Sequence, residues 1–335
     1  MMVKVVRFHE TGGPEVLHYE DVDVDPPGPR EAQIRNTAIG LNFIDCYFRS
    51  GLYPVDAFAN LGGGSAMPFI PGVEGAGVVE AIGNEVDTIA IGDRVAYGLP
   101  PPGAYAELRN FRADRLIKLP DSIDDRTASA MMLKGLTVHM LLRRTYEVQM
   151  GDHILIHAAA GGVGLIACQW AKHLGAIVIG TVSSDEKAER AQTHGCDHPI
   201  IYTRENFVDK VKEITNGKGV PVVYDSVGKD TFDGSLKCVR PMGTVAVFGS
   251  ASGPIPPFDI ARLQWAGSAF LTRAGVFNYV ATREDLTVAS KALIDVIQSG
   301  AVKIKIDQTF NLADAAEAHR ALEKRETTGS TVLLP

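Results

Sequence analysis

The segment Ala159-Ala160-Gly161-Gly162-Val163-Gly164 carries the most chemistry for its length in this sequence. It follows the apolar run Ile154-Leu155-Ile156 and precedes apolar residues at three- and four-residue spacing (Val163, Ile166, Ala167, Trp170, Leu174), so it reads as a glycine turn from a strand into a helix. That arrangement is a dinucleotide-binding fingerprint with alanine at its first glycine. Gly161 lets the backbone approach a pyrophosphate, and the helix N-terminus at Gly162 and Val163 offers N–H groups and a positive dipole end. Gly164 lets helix and strand pack closely.

Which nucleotide binds depends on the tip of the next strand. An acidic residue about 20 positions on would hold a ribose 2′-hydroxyl, and Asp185 stands near that distance. However, Ser183-Ser184-Asp185-Glu186-Lys187 reads as a helix cap and first turn, where acidic residues belong for dipole reasons alone. Ser183 at the strand tip and Lys187 one turn later suit a 2′-phosphate, so NADPH is the expected cofactor. No metal is expected. Cys46, Cys168, Cys196 and Cys238 are widely separated, and the His194/His198 pair beside Cys196 reads as a turn before a strand.

These residues need elements to hold them. From about residue 126 to 271 apolar strands alternate with helices, among them Ile177-Val178-Ile179, Val222-Val223-Tyr224-Asp225 and Val245-Ala246-Val247-Phe248. The pattern predicts a doubly wound parallel sheet in an α/β fold. Residues 1 to about 125 hold close-set β-rich runs broken by Gly and Pro, which predict a small barrel or sandwich. The tail, ending in the strand Thr331-Val332-Leu333-Leu334, is too short for a core of its own and should return to that first domain. The expected domains are therefore 1–125 with 274–335, and 126–273.

Composition narrows the partners. With 33 Lys and Arg against 40 Asp and Glu, the net charge of −7 disfavours nucleic acid. Lys4, Arg7 and Glu10 leave no apolar core for a signal peptide, and the uncharged stretch His153–Ala171 is a strand, a glycine turn and a helix rather than a membrane span. A cytoplasmic protein with no membrane partner is expected.

Beyond these local signals, Gly151-Asp152-His153-Ile154-Leu155 with the glycine turn, Gln169 and Lys172 resembles the signature of the quinone oxidoreductase/zeta-crystallin family. Further matches are Gly12-Gly13-Pro14-Glu15-Val16-Leu17, Gly40-Leu41-Asn42-Phe43-Ile44-Asp45, Arg49-Ser50-Gly51-Leu52-Tyr53-Pro54, Lys134-Gly135-Leu136-Thr137 and Tyr224-Asp225-Ser226-Val227-Gly228. The likeness runs through all 335 residues. It is to the zinc-free medium-chain dehydrogenases/reductases, nearest the bacterial NADPH:quinone reductases. Zinc alcohol dehydrogenases carry a Gly-His-Glu motif where this chain has Gly72-Val73-Glu74, and the structural-zinc cysteines are missing as well.

The resemblance implies a Rossmann nucleotide domain and a β-rich GroES-like catalytic domain. It places Asn42 and Tyr47 beside nicotinamide and acceptor, Tyr53 at the pocket mouth, and Lys134 and Thr137 against the cofactor. It further implies Ser183, Lys187, Tyr202 and Arg325 around the 2′-phosphate, with Phe248, Ser250, Arg273 and Val276 on the nicotinamide side. Without a Lewis acid, the implied acceptors take hydride readily, and quinones regain aromaticity when they do. Enones or alkenals are the alternative acceptors, and a cofactor-binding structural or RNA-binding role is the alternative outside catalysis. A glycine-rich insertion within 55–70 is either a lid or a neutral surface loop. The apolar strand near Ala269-Phe270-Leu271-Thr272, as a sheet edge, predicts a homodimer.

Overall fold

In the computed structural model, which describes residues 1–57 and 66–335, the N-terminal β-rich runs fold as strands. β1 (Met2–Arg7) and β2 (His18–Asp23) form a hairpin. β3 (Glu31–Leu41) leads into α1 (Phe43–Arg49), followed by β4 (Glu74–Ile82), β5 (Arg94–Gly98), β6 (Leu108–Arg112), β7 (Ile117–Lys118) and the helix α2 (Asp125–Met140). Of the glycine-rich insertion within 55–70, residues 58–65 lie outside the described residues.

The next part alternates as the apolar pattern predicts. β8 (His153–Ile156), α3 (Gly162–His173), β9 (Ile177–Val182), α4 (Asp185–Thr193), β10 (His198–Ile201), α5 (Phe207–Ile214) and β11 (Val220–Asp225) come first. α6 (Phe232–Cys238), β12 (Val239–Val247), α7 (Ala261–Trp265), β13 (Phe270–Arg273) and α8 (Val276–Tyr279) follow. Their strands form one parallel sheet in the order β10-β9-β8-β11-β12-β13. This is the doubly wound order, which reverses between β8 and β11, where such sheets bind nucleotides. The core includes Leu155, Ile179, Val223, Val245 and Leu236, and each fully buried aliphatic side chain contributes about 1.5–3 kcal/mol. On α3, Leu165, Ile166, Ala167, Cys168, Trp170 and Ala171 are all buried, while Val163 and Leu174 are only partly so. The single apolar stripe expected for this helix is thus too narrow, because a helix apolar nearly all round is covered nearly all round.

The chain ends with α9 (Arg283–Gln298), β14 (Ile306–Asn311), α10 (Ala315–Glu323) and β15 (Ser330–Leu334). β15 pairs antiparallel with β3, completing a second sheet in the order β14-β15-β3-β4-β5-β7, with β6 also on β3. Two compact units result: Met1–Leu136 with Val280–Lys291 and Ile304–Pro335, and Thr137–Tyr279 with Ala292–Lys303.

The boundaries differ from the expected 125/126 and 273/274 for a packing reason. The first half of α2 lies against the β3–β5 sheet. A Cβ at Gly40 would fall 2.1 Å from the Ser129 carbonyl, and one at Gly98 would fall 2.6 Å from the Leu133 nitrogen. The tail is likewise shared. Arg283 donates to the carbonyls of Asp114 and Leu116 in the first unit, whereas Gln169 of the second unit exchanges two hydrogen bonds with the Lys303 backbone. All four cysteines are free and buried. Among the described residues no helix is long and apolar enough to cross a membrane.

Candidate functional site

In the second unit, the chain leaves β8 through Ala158, whose φ of 55° turns it sharply toward the helix. The Gly161 N–H bonds the Ala158 carbonyl at 3.0 Å, and the Gly161 carbonyl accepts from Leu165 at 2.9 Å, so Gly161 caps α3. A Cβ on Gly164 would sit 2.3 Å from the Ala158 carbonyl oxygen, whereas one on Gly161 would meet only that oxygen at 3.3 Å. The two glycines therefore do different jobs. Gly164 permits close packing of helix on strand, and Gly161 leaves its outer side clear for a ligand. The first N–H groups of α3 have no partners within the helix, which suits a pyrophosphate.

β9 ends at Val182, and Ser184 caps α4 by accepting from the Lys187 N–H at 3.3 Å. Tyr202 N–H bonds the Val182 carbonyl at 3.1 Å, and the Thr203 hydroxyl donates to the Ser183 carbonyl at 3.1 Å. The segments carrying Ser183, Lys187 and Tyr202 thus come together at the end of β9 and β10. Arg204 joins them with a bidentate contact to the Asp185 carboxylate at 2.6 and 2.8 Å. This contact holds the Asp185 carboxyl below its usual range. Sequence reasoning missed Arg204. The signal was available, because a cation just after β10 comes to the β9 tip in a parallel pair, but only the register identifies which residue it meets. Arg325 belongs to the other unit, just past α10, with a φ of 60°.

At the far end of the same sheet, the Arg273 guanidinium donates to the Ser250 hydroxyl at 3.2 Å, joining the ends of β12 and β13. Phe248 N–H bonds the Asp225 carbonyl at 2.8 Å, and Val276 is buried at the start of α8. Beneath these ends runs a buried polar chain. His157 lies 2.9 Å from the Thr181 hydroxyl and 3.0 Å from that of Ser235, which donates to Asp225 at 2.8 Å. Asp225 also accepts from the Val227 and Gly228 N–H groups, each at 2.9 Å, and so shapes the turn after β11. Burial pushes the His157 imidazole below its usual range. These groups hold loop ends in place and are not exposed to a ligand.

In the first unit, Asn42 starts α1, its backbone N–H donating to Asp45 at 2.9 Å. Tyr47 and Tyr53 are half-buried, with ring centroids 5.2 Å apart and a 3.0 Å bond from the Tyr53 N–H to the Tyr47 carbonyl. The Asn42 side-chain amide and the Lys134 ammonium both bond the same buried Glu74 oxygen, at 2.8 and 2.9 Å. Glu74 is the second residue that sequence reasoning passed over. In the sequence it stands only as part of the Gly72-Val73-Glu74 departure from a zinc motif, although an acidic residue beside the lost histidine is itself a signal. Val73 is fully buried, and among the described residues no group of three or more His, Cys, Asp or Glu is placed to hold a metal ion. Thr137 follows on α2 as the first residue of the second unit.

Residues 28–121 match the family described as the alcohol dehydrogenase GroES-like domain, and residues 162–293 the one described as zinc-binding dehydrogenase. The chain is 52% identical over 334 residues to a quinone oxidoreductase of Pseudomonas aeruginosa, covering 100% of both. It is 45% identical over 338 residues to a 2-haloacrylate reductase of Burkholderia, covering 100% of this chain and 99% of the other. The solved structure of Escherichia coli quinone oxidoreductase complexed with NADPH matches with a TM-score of 0.95 at 45% identity, over 99% of this chain and 100% of that one.

Proposed function

Because this chain belongs to the quinone oxidoreductase family of the medium-chain dehydrogenases/reductases, we propose that it reduces quinones with NADPH and without a metal. The observation that carries this reading is its full-length likeness to quinone oxidoreductases, one of them solved with NADPH bound. The geometry of the second unit supports it, since the clear outer side of Gly161 fits a pyrophosphate and the segments of Ser183, Lys187, Tyr202 and Arg204 fit a 2′-phosphate.

NADPH, when bound, supplies the hydride. Gly161, Gly162 and Val163 would hold its pyrophosphate, and Arg325 would join the 2′-phosphate group. Phe248, Ser250, Arg273 and Val276 would bound the nicotinamide, with Lys134 and Thr137 as further cofactor contacts. Asn42, Tyr47 and Tyr53 would orient the acceptor. With valine where zinc enzymes carry a ligand histidine, these residues bind, orient and exclude water. A quinone that accepts a hydride becomes aromatic, and its proton comes from solvent.

The likeness to a 2-haloacrylate reductase supports a second reading, reduction of a carbon–carbon double bond activated by a neighbouring carbonyl. Rates of NADPH oxidation across quinones, enones, haloacrylates and aldehydes, with and without a chelator, decide between them. Quinones should give the highest kcat/KM, unchanged by the chelator. A protein active only on activated alkenes, or silenced by the chelator, would refute the first reading.

We further propose that the protein is cytoplasmic and forms a homodimer through β13. This strand is an edge of the parallel sheet, and Phe270 on it is 63% exposed. Trp265, Ile260 and Met242 on or near α7 and β12 are exposed as well. An apolar strand edge of this kind needs cover, and a second copy supplies it.

A further inference from the structure

We propose that Glu74 is a positioning residue that holds the Asn42 amide and the Lys134 ammonium in one fixed arrangement, an inference resting on the function proposed above. Its side chain is wholly buried, and that of Lys134 is 7% exposed. One carboxylate oxygen accepts from Asn42 Nδ2 at 2.8 Å and Lys134 Nζ at 2.9 Å, and the other accepts from the Leu133 N–H at 2.8 Å. Three donors from two elements thus converge on one group. Because the Asn42 amide also donates to the Gly40 carbonyl at 3.3 Å, its NH2 faces two acceptors and its orientation is set.

The surrounding strands are built for this carboxylate. Glu74 pairs with Gly40 on β3 and with Gly98 on β5. A Cβ at Gly40 would come within 2.4 Å of the Glu74 carboxylate, and one at Gly98 within 2.6 Å of the Leu133 nitrogen. Both glycines clear the space through which Glu74 reaches α2. An ion pair this deep is a poor way to stabilise a core, because apolar residues of similar volume do as well or better. What it does supply is direction. The carboxylate balances the buried ammonium and fixes it at one point. Among the described residues, Asp45 and Tyr97 also feel the Glu74 charge.

The test compares wild type, Glu74→Gln and the doubly neutral Glu74→Gln/Lys134→Met. It measures NADPH binding by nucleotide fluorescence, kcat/KM with a naphthoquinone, and thermal midpoints. A carboxamide cannot accept at both ends, so Glu74→Gln should weaken NADPH binding and lower kcat/KM by about ten- to a hundredfold. The loss in kcat/KM should come with a loss in NADPH binding of similar size, because the Asn42 amide and the Lys134 ammonium lose the acceptor they share. The double variant should melt near the wild type and remain equally weak; if Glu74→Gln does not fold, full recovery in this variant would still overturn the proposal. Wild-type binding and kcat/KM in Glu74→Gln, or full recovery in the double variant, would assign Glu74 to the fold and overturn the proposal. A wild type that binds NADPH but reduces no quinone would refute the proposed function instead, and the binding measurements would still decide the role of Glu74.

Discussion

Under the proposed assignment, nucleotide choice rests on a few side chains at the β9 tip. Asp185 stands where a ribose-binding acid is expected by distance, yet its carboxylate is engaged by Arg204. A 2′-phosphate would therefore meet a matched charge rather than a bare anion, with Lys187 one turn away. A charge-assisted hydrogen bond to a phosphate contributes about 1.5–3 kcal/mol, less where solvent screens it. Lys187→Ala should accordingly raise the Michaelis constant for NADPH by about tenfold and leave that for NADH nearly unchanged. Equal losses for both nucleotides, in steady-state assays of each, would identify Asp185 as the ribose ligand and NADH as the cofactor.

Between elements, α1 and α10 meet through a buried polar chain that the proposed chemistry does not use. Tyr105 donates to Asp45 at 3.2 Å and lies 2.9 Å from His319 Nε2, while His319 Nδ1 faces Cys46 and Arg49. Burial raises Asp45 to about 7. Burial, reinforced by the Arg49 charge, lowers His319 to about 3. The folded state thus keeps the Asp45 proton between about 4 and 7, and the stability this adds is lost as pH rises through 7. Neutral His319 adds stability above about 6.5 that is lost as pH falls toward 3. Between about 4 and 6.5 the two slopes oppose, each at most about 1.4 kcal/mol per pH unit. Urea midpoints should show this once one partner is removed. His319→Gln should lose stability relative to wild type as pH rises across that range, and Asp45→Asn should gain it. Parallel profiles in all three proteins would mean that neither group titrates with the assigned shift.

For the whole molecule, the exposed edge at β13 predicts assembly. The protein should sediment at twice its 35.9 kDa mass, and Phe270→Lys should return it to a monomer by placing a charge on the edge. Sedimentation of the wild type as a monomer at micromolar concentration would reject this interface. The period of the apolar residues was enough to assign the parallel sheet and its glycine turn. Strand and helix spacing is a local property, and the steric demand at Gly164 follows from its place between β8 and α3. Ser184 as a cap was legible for the same reason. The meeting of Arg204 with Asp185, of Glu74 with Asn42 and Lys134, and of Asp45 with His319 was not. Each joins residues distant along the chain, and only strand register and the seating of α2 on the sheet bring them within hydrogen-bond reach. The unit boundaries within α2 and α9 were hidden likewise, because a continuous helical pattern carries no mark of which sheet each half will cover.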